Sequence, residues 1–264
     1  MCLIGIAWKA HPDFPLIVAA NRDEYHARPT APSAWWQDTP QLLAGRDLQS
    51  GGAWMGITRA GRFAALTNYR SAAEIDSNAP SRGALVAHFL TSAAAPAQYA
   101  GMVGAEGARY NGFNLLAGTL EQLWYVSNHS ATPEALTPGV YGLSNALLDT
   151  PWFKVTSLKM ALGEALGKVV RQAPLQSTIS SLFADLFRAL SSTGPSPDTA
   201  LPQTGVPIER ERLLSSAMII APVYGTRAST VLGVAHDGTV FWEERSFMPA
   251  GDVAHAVHER FALG

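Results

Sequence analysis

Cysteine is nearly missing from these 264 residues; the only one stands at position 2. A single thiol excludes a disulfide within the chain and any cysteine-rich zinc or iron–sulfur site. Charge is scarce too: 19 basic and 21 acidic side chains make 15% of the residues, against about 25% in an ordinary soluble domain. The formal net charge of −2 leaves no positive field to draw nucleic acid or an anionic bilayer. No apolar run approaches the ~20 residues that cross a membrane. The short run from Cys2 to Trp8 has no basic residue before it and meets Lys9, His11 and Asp13 at once, unlike a signal peptide. Glycine is absent from position 2 and cysteine from the C-terminus, so the lipid-anchor patterns fail as well. The expectation is a cytoplasmic chain with no integral membrane segment and no nucleic-acid partner. The seven histidines form no HxxxH or HExxH spacing, and Gly51-Gly52 is too short for a phosphate loop. No metal and no cofactor for catalysis is therefore expected.

What is present is material for a core: 47% hydrophobic residues, seven of them Trp. Strand-length apolar runs open the chain, CLIGIAWK and PLIVAANRD around a turn at His11-Pro12-Asp13, then AWMGIT and RFAALTN joined at Ala60-Gly61. Helical spacing follows over Ser81 to Ser92 and near Pro96 to Val103. FNLLAGT and QLWYVSN read as a hairpin, and two helices are predicted at about Trp152 to Val170 and Leu175 to Leu190. Residues 191–207, rich in Pro, Gly, Ser and Thr, read as a long loop in the manner of a site lid. AMIIAPV, STVLGVAHD and TVFWEERSF return to strand, with an Asp237-Gly238 hairpin turn. His255 and His258 fall on a predicted C-terminal helix. Hairpins dominate and regular βαβ alternation is missing, so one α+β domain over residues 1–264, built on mostly antiparallel sheets, is expected. Trp35-Trp36 either lines an apolar pocket or closes a core edge.

The position of the thiol gives it chemistry. Methionine is generally removed before a small second residue, which would leave a thiol and a free α-amine together on Cys2. An unperturbed thiol is only about 3% thiolate at pH 7, whereas roughly a tenth of an α-amine is neutral and able to take its proton. One residue then supplies nucleophile and general base. The alternative is a buried cysteine acting as a small hydrophobe. Asn21, Arg22, Asp23 and Glu24 end the second predicted strand, which pairs naturally with the strand opening at Cys2. A guanidinium there would favour thiolate, and a carboxylate could hold the α-amine. Glu24 reads as a solvated turn residue.

Cys2 with AANRDE, AGRDLQSGGAWMGIT, ALTNYR, SRG, YGLSNALLDTPW, LPQTGVPIERERLLSSAMI and YGTRASTVL strongly resembles the NRDE family, which includes the transport and Golgi organisation 2 proteins of eukaryotes. The likeness runs in order through essentially the whole chain. The pattern also looks like the N-terminal nucleophile (Ntn) hydrolases, near the bile-salt hydrolase and penicillin V acylase branch. This implies a four-layer αββα sandwich.

That branch follows its cysteine with an arginine and an aspartate on the second strand, and Arg22 and Asp23 resemble them. Here the two are adjacent, where the hydrolases separate them by two residues. On a regular strand Asn21 and Asp23 share a face that Arg22 does not. Either a bulge re-aims Arg22, or Asn21 takes the place an arginine holds elsewhere. Asn145 resembles the side-chain donor to the oxyanion, with a turn cap as its alternative. Asn68 is a second candidate donor or a loop-ordering residue. Arg227 resembles the late arginine near the nucleophile, where it would polarise the site or hold an anionic group, or else form a surface ion pair. The resemblance implies a cysteine amidohydrolase or acyltransferase for a non-peptide C–N bond of a small-molecule amide. The second class is a binding or trafficking protein for haem, held non-covalently, acyl-CoA or another amphipathic ligand. Those ligands come from the family's connections with haem mobilisation and lipid metabolism.

Overall fold

The computed structural model describes residues 2–72, 75–170 and 174–264, apart from the side chain of Cys2. Met1, whose removal the thiol chemistry needs, lies outside them. Alternation along the first strands sets the architecture. In β1 (Cys2–His11), Leu3 and Ala7 pack on one side, and Ile4, Ile6 and Trp8 on the other. β2 (Phe14–Tyr25) repeats this, with Ile17 and Ala19 on the first side and Leu16, Val18 and Ala20 on the second. Strands buried on both faces require a covering layer on each.

Those layers are supplied by the rest of the chain. The first sheet is antiparallel and runs β10 (Gly139–Leu143), β1, β2, β11 (Tyr224–Val234), β12 (Thr239–Phe247), β13 (Val253–Ala262). The second runs in chain order: β3 (Thr30–Trp36), β4 (Thr39–Asp47), β5 (Met55–Thr58), β6 (Phe63–Asn68), β7 (Phe113–Gly118), β8 (Leu123–Ser127), β9 (Glu134–Ala135). Ile6, Trp8, Val18, Ile57, Leu116 and Trp242 fill the space between the sheets. Outside the first sheet lie α3 (Phe153–Gly167) and α4 (Leu175–Leu190), packed on Leu3, Ile17 and Ala19. Outside the second lie α1 (Gly83–Thr91) and α2 (Pro96–Glu106). The αββα sandwich expected from the resemblance is the fold observed. Two paired glycines let α3 sit close: a Cβ on Gly5 would come within 2.9 Å of Leu158, and one on Gly142 within 2.6 Å of Val155.

Several local expectations fail for identifiable reasons. The C-terminal segment is a strand, not a helix: β12 offers a free edge, and β13 pairs along it from Val253 to Ala262. His255 and His258 are exposed on that strand. AMIIAPV is irregular, because its backbone bonds leave the ladder: Met218 N–H donates to Ser192 O and Ile219 N–H to Thr226 Oγ1. β3 and β4 escape notice in the sequence because Pro29, Pro32 and Pro40 punctuate them. Pro32 is tolerated at an irregularity in an edge strand. Trp35 and Trp36 point to opposite faces and close core edges. Trp36 Nε1 donates to Ala44 O, while Trp35 packs on Phe261 and donates to Glu259. Among the described residues no helix is long and apolar enough to cross a membrane.

Candidate active site

The end of β2 that carries Asn21, Arg22 and Asp23 is regular. Cys2 pairs with Arg22 and Leu3 with Asn21, in an unbroken register that continues to Trp8 opposite Leu16. The irregularity lies across β2 in β11, between Thr226 and Ala228. Alternation therefore holds, and the question left open by the sequence is answered: Arg22, not Asn21, stands opposite Cys2.

Asn21 and Asp23 face the helices, and both are buried. Asn21 Nδ2 donates to the carbonyls of Leu190, at the end of α4, and Ala217, while Oδ1 accepts from Ser229. Both amide hydrogens are thereby committed, so Asn21 is a clamp and has none left for substrate. Asp23 accepts from Thr226 Oγ1 at 2.6 Å. Burial pushes its carboxyl above the usual range, opposed by the nearby charge of Lys154, the Thr226 bond and Arg22. Lys154, buried in the first turn of α3, donates to Leu214 O at 2.9 Å.

Arg22 faces the second sheet and is 6% exposed. Its guanidinium lies 4.4 Å over the Trp54 ring. Among the described residues its buried Nη1 has no hydrogen-bond partner and no carboxylate lies within ion-pair distance of it. Arg22 favours the charged form of Glu244, which is also buried. Its oxygens are nevertheless taken by Ser33 N–H, Ser33 Oγ and Thr230 Oγ1. Burial pushes the Glu244 carboxyl up despite those bonds.

Asn145 lies just beyond β10. The last paired position there is Ile4 with Leu143, so Cys2 and Asn145 each stand two residues further along neighbouring strands. Asn145 is fully buried. Its Nδ2 donates to Asn68 O at 2.8 Å, its Oδ1 accepts from Ser144 Oγ, and its carbonyl accepts from Arg70 N–H. Among the described residues its second amide hydrogen has no acceptor. Asn68 thus orders the site through its backbone, the loop-ordering alternative. The Asn145 loop is pinned from the second sheet: Thr67 Oγ1 donates to Ser144 O, Asn114 Nδ2 to Ala146 O, and Leu148 N–H to Tyr125 Oη. Arg70 stacks on Trp152 and forms a buried ion pair with Glu211 of α5 (Ile208–Ser215). Glu211 also accepts from Thr204. The loop over 191–207 is therefore tied to the site through that pair.

Arg227 sits at the irregularity in β11, half-buried. Its Nη1 donates to the carbonyls of Tyr25, His26 and Arg28. Burial lowers its pKa, and the Arg22 charge adds to that. It organises the turn leaving β2 and, among the described residues, makes no ion pair. Among the described residues no group of three or more His, Cys, Asp or Glu could hold a metal ion.

The sequence profile described as Transport and Golgi organisation 2 matches residues 1–249. The chain belongs to that family. It is 38% identical over 263 residues to the Transport and Golgi organization protein 2 homolog of Bos taurus, covering 94% of both chains. It is also 38% identical over 271 residues to the Homo sapiens homolog, covering 97% of this chain and 96% of that one. Among solved structures, penicillin V acylase from Agrobacterium tumefaciens superposes with a TM-score of 0.50 at 11% identity, over 93% of this chain and 83% of the acylase. At that identity the likeness concerns the fold, which is that of the Ntn hydrolases.

For this family member, sequence reasoning passed over Lys154, Trp54, Glu244 and the Thr67–Asn114–Tyr125 network. A usable signal existed for two of them. Asn114 in FNLLAG and Glu244 in VFWEERSF are polar residues inside apolar strands, where a buried polar group must have a job.

Proposed function

We propose that this chain is an N-terminal cysteine hydrolase or acyltransferase, acting on a non-peptide C–N amide bond, with Cys2 as nucleophile once Met1 has been removed. One observation carries the reading: the strand register puts the backbone of Cys2 opposite Arg22 and level with Asn145. In the reaction, the α-amine takes the thiol proton and the sulfur attacks the carbonyl carbon. The C–S bond forms as the carbonyl π pair moves to oxygen. The remaining Asn145 amide hydrogen donates to that oxyanion, a contribution of about 2.7–4 kcal/mol to the barrier in comparable sites. The oxyanion collapses, the C–N bond breaks, and the ammonium returns its proton to the leaving amine. Water or another acceptor then takes the acyl group from the thioester and regenerates the thiol.

The test is an intact mass of the protein from its own host, before and after brief iodoacetamide treatment. The expected result is loss of the Met1 mass and one rapid alkylation, absent in Cys2→Ala. A retained Met1 with an inert thiol would overturn the reading.

A further inference from the structure

We propose that the slot between Arg22 and Trp54 binds a short-chain carboxylate, with Arg22 Nη1 donating to its oxygen and Trp54 limiting the length of its chain. Identifying that ligand as the acid released by the hydrolysis rests on the function proposed above; the slot itself does not.

The first observation is the state of Arg22. Buried cations are normally paired, because an unpaired one loses its hydration with nothing in return. Arg22 is 6% exposed, Nη1 has no partner among the described residues, and the two buried carboxylates that feel its charge have partners of their own, Asp23 with Thr226 and Glu244 with Ser33 and Thr230. The stack on Trp54 offsets part of the cost. It supplies no acceptor.

The second observation is the cavity that Arg22 lines with Ile4, Ala20, Trp54, Leu66 and Thr230. It measures about 10 Å³, room for roughly one water-sized atom. An oxygen fits there, and an alkyl chain does not. The third observation is how Trp54 is held. A Cβ on Gly45 would lie 2.0 Å from the Trp54 ring, so the edge of the indole's six-membered ring lies against the Gly45 backbone while the guanidinium lies over the indole. The indole is part of the wall of that cavity. Trp54 is itself half-buried, following the exposed residues 48–51. Trp54 walls the same cavity, so a chain leading away from an oxygen at Arg22 meets the indole, and a long chain needs the indole to move.

The experiment is calorimetric titration of the full chain with sodium acetate, butyrate and octanoate. Wild type should bind acetate or butyrate roughly tenfold or more tightly than octanoate. Arg22→Met should weaken acetate and butyrate by roughly tenfold or more. Trp54→Ala should strengthen octanoate by a similar factor, roughly tenfold. Gly45→Ala, which expels the ring without altering it, should do the same and guards against a folding artefact in Trp54→Ala. No binding by folded wild type, unchanged binding in Arg22→Met, or a length preference untouched by both Trp54→Ala and Gly45→Ala would each overturn the proposal. Iodoacetamide reactivity of Cys2 in the same samples reports on the hydrolase reading separately. An inert thiol with carboxylate binding removes that reading alone, and a reactive thiol without binding removes this one alone.

Discussion

The two faces of β2 differ over three consecutive residues. Toward the helices, Asn21 makes three side-chain hydrogen bonds and Asp23 accepts from Thr226 beside Lys154. Toward the second sheet, Arg22 is also buried, yet among the described residues it has a ring to lie on and a nitrogen without a partner. All three side chains are polar and inaccessible, so burial alone does not separate scaffold from site. Satisfaction does. A closed set of hydrogen bonds stabilises a fold, and an open cation in a lined cavity waits for a ligand.

The largest effect should come from the closed face. Asn21→Ala leaves the carbonyls of Leu190 and Ala217 and the Ser229 hydroxyl without their partner. At about 1–3 kcal/mol for each stranded group, the loss should total on the order of 3 kcal/mol or more. Urea unfolding measures it, with the slope unchanged. A loss below about 1 kcal/mol would mean that water replaces the amide and the clamp is not closed.

An intermediate effect concerns pH. Burial raises the carboxyls of Asp23 and Glu244, so the native chain holds protons that the unfolded chain has released. Their contribution to stability is fully present below the unfolded carboxylate range and is lost as pH rises through the raised native values. The exposed carboxylates of Asp38, Asp185 and Asp198 act in the opposite sense, each held low by a hydrogen bond from a basic partner: Arg46, Lys168 and Arg212. Their contribution is lost only as pH falls through those low values. From about pH 4.5 upward the buried pair should therefore dominate, and the urea midpoint should fall with rising pH. Asp23→Asn and Glu244→Gln should each flatten that slope. A midpoint that climbs over the same range would show that partners hold both carboxylates ionised.

The layers of the fold were legible because their signal is local. Apolar alternation in CLIGIAW and PLIVAA and the stripe in α3 each specify which faces are covered. The αββα order itself came from the motif resemblance. β13 was not legible: its exposed, mixed sequence becomes a strand only because β12 has an edge to fill. At the site, the residue types at positions 2, 21–23, 145 and 227 were legible, while their assignments depended on register. Whether Asn21 or Arg22 stands opposite Cys2 is a difference of one residue in strand pairing. The sequence near Asn21 is silent about it, because the register is set at the far end of the β1–β2 pair, where it shifts between Trp8 and His11. Trp54 was invisible for a similar reason, since its position depends on Gly45 in the neighbouring strand.

The smallest expected effect is the sharpest test of the comparison. Arg22→Met keeps an unbranched apolar stem against Trp54 and removes the charge. It forfeits the ring–cation contact, about 2 kcal/mol or more when desolvated. It also removes a buried charge whose hydration was lost without a hydrogen bond at Nη1, a penalty that runs to several kcal/mol per ion in protein interiors. The two terms oppose, so the urea-derived stability should stay within about 1 kcal/mol of wild type. That outcome, beside a loss several times larger for Asn21→Ala one residue away, is what separates an open cation from a closed clamp. A loss of about 3–5 kcal/mol would instead mark Arg22 as half of a buried ion pair, with Glu244 or Asp23 its partner in solution. The two faces of β2 would then be alike.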